Sequence, residues 1–326
     1  LNVSHMGMRF CENPKQTHSQ KTGLLGIEGL HTGVGYEITS VLANSPGDRE
    51  DSKLSAGDVI VSVNQQSLNN QNLFALLTDT VNTPVLLEIA NTGETREVVI
   101  WPTDSLSDQL YDAWVDERRK LTNTFSKGKL GYLHIRGMNW SSFERFEREL
   151  MAAGYGKDGI VIDVRYNGGG WTTDYLIAVL NVKQHSYTIP RGATNDIKNN
   201  HGEFKDAYPF SERLPLSAWT KPSIAMSNES SYSNAEIFSH AYKALGIGKL
   251  VGRPTFGAVI STGGYGLVDG SFVRMPFRGW WVKETGENME RVPATPDIEV
   301  FNPPAYKAKG VDPQLQRAVK ELLKEI

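Results

Sequence analysis

The stretch GIVIDVRYNGGG, residues 159–170, constrains the fold more than any other part of the chain. Its first half is an almost unbroken apolar run. Side chains on a strand alternate between two faces, so such a run is stable only where both faces are covered. That predicts a buried strand of a sheet with helices packed against it. KPSIAMS (221–227) has the same character. Each strand ends in a loop of small and polar residues, RYNGGG (165–170) and SNESSYS (227–233). Open α/β sheets hold ligands at the carboxyl ends of their strands, so these two loops are where chemistry is expected.

The rest of the second half fits around them. KLGYLHIRGM (129–138) reads as a strand, SSFERFERELMAAG (141–154) as a helix, and GKLVGRPTFG as a further strand. DPQLQRAVKELLKEI (312–326) closes the chain as a helix with Asp312 at the N-cap and Pro313 at the first helical position. From Gly23 to about Pro102 the texture is different, with short alternating strands and turn residues between them. YEITSVL is one such strand. AGDVIVSVNQQSL is another, with Val59, Val61 and Val63 expected on one side. LFALLTD reads as a short helix, and VLLEIAN and REVVIWP as closing strands. Residues 104–126 have a helical rhythm, with Leu106, Leu110, Trp114, Leu121 and Phe125 on one stripe. The expected fold class is therefore α/β (α+β) and multidomain. Residues 1–20 are the end of a preceding domain, 21–103 a small β-rich domain, 104–128 a helical connector and 129–326 a mixed α/β domain.

Composition narrows the function classes. With 326 residues the chain has room for two domains, each with its own core. A net charge of −3 gives no reason to expect nucleic acid or an anionic membrane as partner. No window approaches the roughly 18 apolar residues of a membrane span. Cys11 is the single cysteine, which excludes an internal disulfide and a zinc site built from cysteines. No metal or organic cofactor is called for. One cysteine suits a reducing compartment, so the cytoplasm is the expected location. The opening LNVSHMGMRF has neither an initiator Met nor a signal-peptide layout, and reads as the start of a C-terminal piece of something longer.

Ser233, in SYSNAEIF, supports two readings. It stands three residues before Glu236, the S-x-x-E spacing of a capping box. A helix starting here is expected to bury Ile237, Ala241, Ala244 and Leu245. Alternatively Ser233 is a nucleophile, which requires a base and an oxyanion site. Glycines after a strand let backbone amides point into a site without side chains in the way. The Asn234 amide at a helix N-terminus, with one from Gly169 or Gly170, could then hold a developing oxyanion. NGGG could equally be a plain tight turn. A phosphate loop is disfavoured because no G-K-[ST] follows.

Two resemblances bear on this choice. TGLLGIEG (22–29) and SKLSAGDVIVSVNQQ (52–66) resemble the carboxylate-binding loop and the L-x-x-G-D-x-I-x-x-V-N signature of PDZ domains. That implies that Gly23, Leu24, Leu25 and Gly26 receive a peptide carboxylate in a nest of amides, beside a strand edge that accepts an extended chain. DVRYNGGG (163–170) and SSYSNAEIFSHAYKALGIGKLVGRPTFG (230–257), following such a domain, resemble the C-terminal processing peptidases and more closely the tricorn proteases.

The second resemblance implies that Ser233 is the nucleophile. Members of the Ser-Lys kind carry a lysine base just after T-F-G, where this chain has Ala258. A methyl group cannot accept a proton, so the base must come from elsewhere or the site is dead. Tricorn-type members use a Ser-His pair ahead of the PDZ module, which implies Ser4 and His5 here. A glutamate shortly before a P-D-[VI] strand completes the set; Glu290 stands six residues ahead of Pro296. It would hold Ser4, and Ser4 would orient His5. In YTIPR (187–191) Thr188 stands where an acid would favour Lys or Arg at P1, and Trp280 or Trp281 is expected near the pocket. The resemblance further implies peptide or unfolded-protein substrates and a homo-oligomer, a hexamer. The alternative is a catalytically inactive peptide-binding protein that keeps the PDZ-like groove.

Overall fold

The computed structural model describes residues 4–11, 20–183, 185–187, 189–204 and 217–326. Its contacts divide the chain into two units, Asn13–Glu117 and Leu1–Glu12 with Arg118–Ile326. The first described strand, β1 (Gly7–Arg9), belongs to the second unit.

In the unit Asn13–Glu117, β2 (Ile27–His31), β3 (Tyr36–Val41), β4 (Val59–Val63), β5 (Gln66–Ser67), β6 (Val85–Asn91) and β7 (Glu94–Ile100) form an antiparallel sheet with a short helix, α1 (Leu73–Leu76). The order is β2-β3-β4-β6-β7, with β5 paired to β4. Along β4 the buried residues are Ile60, Ser62 and Val63, not the expected trio of valines; Val59 and Val61 are only half-buried. A register shift between Ile60 and Ser62 breaks the alternation, because an extra residue in one strand reverses which side chains face the core. Two of the four amides expected to form a carboxylate nest are engaged inside the unit. Gly23 N donates to the Leu77 carbonyl at 2.7 Å and Leu24 N to that of Thr103 at 2.8 Å. Leu25 is a core residue, and Gly26 takes a positive φ of 79°.

The boundary between the units falls inside α2 (Ser107–Ser126). Its buried positions are Val115, Arg118, Thr122 and Ser126, whereas Leu110 of the expected stripe is exposed. Charge pairing overrides the apolar stripe here: fully buried Arg118 lies 3.5 Å from the equally buried Asp312. An unpaired buried guanidinium would be far more costly than an exposed leucine.

The second unit continues with β8 (Leu130–His134), α3 (Trp140–Gly154), β9 (Gly159–Asp163), α4 (Thr173–Leu180), α5 (Ile197–Asn200), β10 (Ser223–Ser227), α6 (Asn234–Ala244), β11 (Leu250–Gly252), β12 (Ile260–Gly266), β13 (Phe272–Gly279), β14 (Ile298–Glu299) and α7 (Pro313–Leu322). Strands β8, β9, β10, β11 and β14 lie side by side in that order, all parallel. Every residue of β8, β9 and β10 is buried, as the apolar runs require. One core joins Phe143, Phe146 and Leu150 of α3, Leu176 and Val179 of α4, and Phe238 and Tyr242 of α6 to Ile160 and Ile162 of β9. Each such side chain contributes about 1.5–3 kcal/mol by leaving water. On the opposite face α7 buries Leu315, Ala318, Val319 and Leu322. Helix α6 turns a different face inward from the one expected. Ala235, Phe238, Ser239 and Tyr242 are buried, while Ala244 and Leu245 are exposed. Two aromatic rings bury more surface than the small residues beside them, and the Tyr242 hydroxyl finds Ser223 Oγ at 2.7 Å.

A small antiparallel sheet, β1-β13-β12, completes the unit. Gly7 pairs with Arg274, Met8 with Val273 and Arg9 with Phe272. This pairing carries Ser4 and His5, just ahead of β1, to the α/β unit.

Candidate active site

The NGGG loop leaves β9 on a buried ionic base. The Arg165 guanidinium bonds Asp163 at 2.7 Å and Asp312 at 2.9 Å, and its own amide donates to Asp163 Oδ1 at 2.9 Å. Asp312 caps α7, accepting from Leu315 N at 3.1 Å. The loop is therefore anchored to the last helix as well as to the sheet.

The loop after β10 is stitched to it. Tyr166 N donates to Asn228 Oδ1 at 3.0 Å, Ser231 Oγ to the Val164 carbonyl at 2.9 Å, and Tyr232 N to the Asn167 carbonyl at 2.9 Å. At the junction with α6 stands Ser233, with φ 57° and ψ −118°. A serine in this region is strained by roughly 1–3 kcal/mol, and such strain is held only where the surroundings over-determine it. The main constraint is Glu236. Its buried carboxylate accepts the Ser233 amide at 2.9 Å, the Thr255 hydroxyl at 2.7 Å, the Ala258 amide at 2.9 Å and the Gly257 amide. Serine and glutamate face each other in the capping box that the S-x-x-E spacing predicts, the Glu236 carboxylate accepting the Ser233 amide and the Ser233 side chain turned toward the Glu236 amide. The Glu236 amide donates to the Ser233 carbonyl at 2.9 Å, and the Ser233 hydroxyl makes no side-chain cap bond.

The glycines come close for a reason. A Cβ on Gly169, which has φ 87°, would lie 2.7 Å from Ser233 Cβ and 3.0 Å from the Asn234 amide. A side chain there would push the two loops apart. The Gly169 amide itself donates to Asn167 Oδ1 at 2.9 Å. Among the described residues, the amides of Gly170 and Asn234 have no acceptor. Asn234 is fixed by its side chain, which accepts from Thr173 N at 3.0 Å.

The structure brings Ser4, His5 and Glu290 together across nearly the whole chain. Glu290 Oε1 accepts the Ser4 amide at 2.5 Å and Oε2 accepts the Ser4 hydroxyl at 2.9 Å. Since that hydroxyl hydrogen is committed to the carboxylate, Ser4 Oγ is left to accept from His5 Nδ1 at 2.7 Å. The proton on Nδ1 leaves Nε2 with its lone pair. Nε2 is buried without a hydrogen-bond partner. Burial holds the His5 pKa below its ordinary 6.5, with the nearby Arg274 cation acting in the same direction and Glu290 against it. Glu290 is held in turn by Asn288, whose Oδ1 accepts its amide at 2.9 Å, and by the Trp280 carbonyl, which accepts Met289 N at 2.9 Å. Trp280 thus bears on the glutamate's loop, and Trp281 pairs with Asn288.

Ala258 is buried where a lysine would have to stand, and its amide serves Glu236. His134 is structural, its Nε2 meeting the Arg165 carbonyl at 2.7 Å. Thr188 lies outside the described residues. One contact was not foreseen: the Tyr232 ring stacks on His5 with centroids 4.6 Å apart, and its hydroxyl lies 3.1 Å from Nδ1. Its only sequence signal is its place immediately before Ser233.

A PDZ-type sheet and a parallel α/β domain with a serine at a strained strand–helix junction are the architecture of a peptidase scaffold. Residues 129–300 match peptidase family S41 and residues 15–90 match the PDZ domain. The chain belongs to peptidase family S41. It is 33% identical over 312 residues to tricorn protease homolog 1 of Streptomyces coelicolor, covering 92% of this chain and 28% of that protein. It is 27% identical over 319 residues to the tricorn protease of Thermoplasma volcanium, covering 94% and 29%. The crystal structure of the tricorn protease superposes with a TM-score of 0.82 at 25% identity, covering 99% of this chain and 31% of that one. The chain spans less than a third of the length of these relatives.

Proposed function

We propose that the protein is a serine endopeptidase of tricorn type that cleaves oligopeptides or unfolded polypeptides with Ser233, His5, Ser4 and Glu290. The observation that carries this reading is the Glu290–Ser4–His5 chain of hydrogen bonds, which leaves Nε2 free as a base.

In the proposed reaction Ser233 Oγ attacks the scissile carbonyl while Nε2 takes its proton. The carbonyl oxygen becomes an oxyanion, and the amides of Asn234 and Gly170, which have no acceptor among the described residues, are its proposed donors. One such donor is worth roughly 2.7–4 kcal/mol in a known hydrolase. The imidazolium then gives its proton to the leaving amine, and the C–N bond breaks to leave an acyl ester on Ser233. Water, deprotonated by the same nitrogen, releases the acid and restores the serine. Glu290 acts through Ser4, keeping Nδ1 protonated and steadying the imidazolium.

Ala258 in place of a lysine favours a second reading, a silent peptide-binding protein. Hydrolysis of a denatured, fluorescently labelled protein separates the two. The peptidase reading expects cleavage that falls by roughly 10⁴-fold or more in Ser233→Ala and in His5→Ala. Equal cleavage by folded wild type and both variants, or none by any, contradicts it.

A further inference from the structure

We propose that Tyr232 is a positioning residue for the general base, the group that ties His5 to the backbone of the nucleophile. The inference rests on the catalytic reading above and assigns a residue that reading does not use.

Base and nucleophile, His5 and Ser233, are far apart in the sequence, so their separation must be fixed through space. Ser4 cannot fix it, because it is the neighbour of His5 and moves with it. Glu290 cannot either, because it anchors Ser4 to the loop after β13 rather than to the Ser233 segment. Among the described residues, the contacts that join His5 to that segment are those of Tyr232, which is covalently next to Ser233.

The tyrosine is itself well braced. His5 lies on its face at 4.6 Å with the rings 24° apart. Phe256 meets it edge-on at 5.0 Å and 79°. Its amide donates to the Asn167 carbonyl at 2.9 Å, so the NGGG loop holds the backbone on which the ring is mounted. His5 takes φ 61°, an uncommon conformation for a residue with a side chain, which persists only where the surroundings hold it.

The hydroxyl adds a chemical role. With Ser4 Oγ committed to Glu290, the Nδ1 proton is shared between two acceptors, Ser4 Oγ at 2.7 Å and Tyr232 OH at 3.1 Å. Both acceptors favour the tautomer that leaves Nε2 bare, and both favour the imidazolium more strongly than the neutral ring. Arg274 and Glu290 are the charged groups that act on the same ring, in opposite senses.

The test compares Tyr232→Phe, which keeps the stack and loses the hydroxyl, with Tyr232→Leu, which loses both. Ser233→Ala and His5→Ala serve as controls. Two quantities are read: the rate of modification by a fluorophosphonate probe across the pH range in which imidazole titrates, and the ¹⁵N shifts of the His5 ring. Tyr232→Phe is expected to react about tenfold more slowly, with its acid limb moved to lower pH because an acceptor favouring the imidazolium is gone. Tyr232→Leu is expected to react about 100-fold more slowly, with His5 spread over both tautomers. If both variants are folded and match wild type in rate, pH profile and ring shifts while His5→Ala is inert, the Tyr232 inference fails alone. If wild type does not react, or His5→Ala reacts as fast as wild type, the catalytic reading fails and takes this inference with it.

Discussion

Glu290 grips Ser4 at two atoms, one carboxylate oxygen on the amide and the other on the hydroxyl, although the residues are 286 positions apart. This pair of hydrogen bonds sets the hydrogen-bond direction of everything beyond it. The Ser4 hydroxyl cannot donate to both Glu290 and His5, so His5 must donate to Ser4.

Glu290→Gln preserves shape and alters that direction. A carboxamide offers one acceptor and one donor where two acceptors are needed, so one Ser4 group loses its partner. The tautomer of His5 is then no longer enforced. The expected result is a fall in kcat of roughly 10³-fold with little change in KM and in melting temperature, measured on any peptide the protein cleaves. A raised KM at unchanged kcat would place Glu290 in substrate binding instead.

The pH dependence follows from the surroundings of His5. The base works when neutral, so activity is present above its folded pKa and is lost as pH falls through it. Burial and Arg274 hold that pKa below 6.5, which puts the acid limb of kcat/KM below 6.5. Arg274→Met removes a cation that disfavours the imidazolium, so its limb is expected to move up toward neutrality. A limb that moves down, or does not move, would show that the titrating group is not His5.

Gly169→Ala tests the close approach of the two loops. Its Cβ would need the space of Ser233 Cβ, 2.7 Å away, in a backbone conformation that L-residues avoid. Stability is expected to fall by about 1–3 kcal/mol in denaturant melts, and activity by more than that loss explains, because the nucleophile is displaced. Gly168, where a Cβ meets nothing within 4 Å, is the control.

Glu236→Ala removes the carboxylate that gathers the Ser233, Gly257 and Ala258 amides. Leaving these buried donors unmet is expected to cost about 3 kcal/mol, and with the restraint gone Ser233 is free to leave its positive φ. Melting and activity should therefore fall together, in contrast to Glu290→Gln.

Much of the scaffold was legible because burial on both faces leaves an unmistakable pattern: GIVID and SIAMS are strands β9 and β10, and Asp312 with Pro313 opens α7. Faces of helices were less legible. The inward side of α2 is decided by the Arg118–Asp312 pair, a contact between distant residues that no local period encodes. In α6 the rings of Phe238 and Tyr242 outweigh the alanines and leucine on the neighbouring stripe. At the candidate site, Ser4, His5 and Glu290 could be named only through family resemblance, since nothing in their local sequence points across the chain. Tyr232 escaped for the opposite reason. An aromatic residue before a helix cap looks ordinary until its partner, His5, is seen in space.

The central claim is that Ser233 is a nucleophile activated by His5. The most direct measurement is fluorophosphonate labelling of the folded protein followed by peptide mapping of the adduct, with Ser233→Ala and His5→Ala alongside. The account predicts a single adduct on Ser233 in the wild type and none in either variant. An adduct on another serine, labelling that survives His5→Ala, or a folded wild type that stays unlabelled would contradict it.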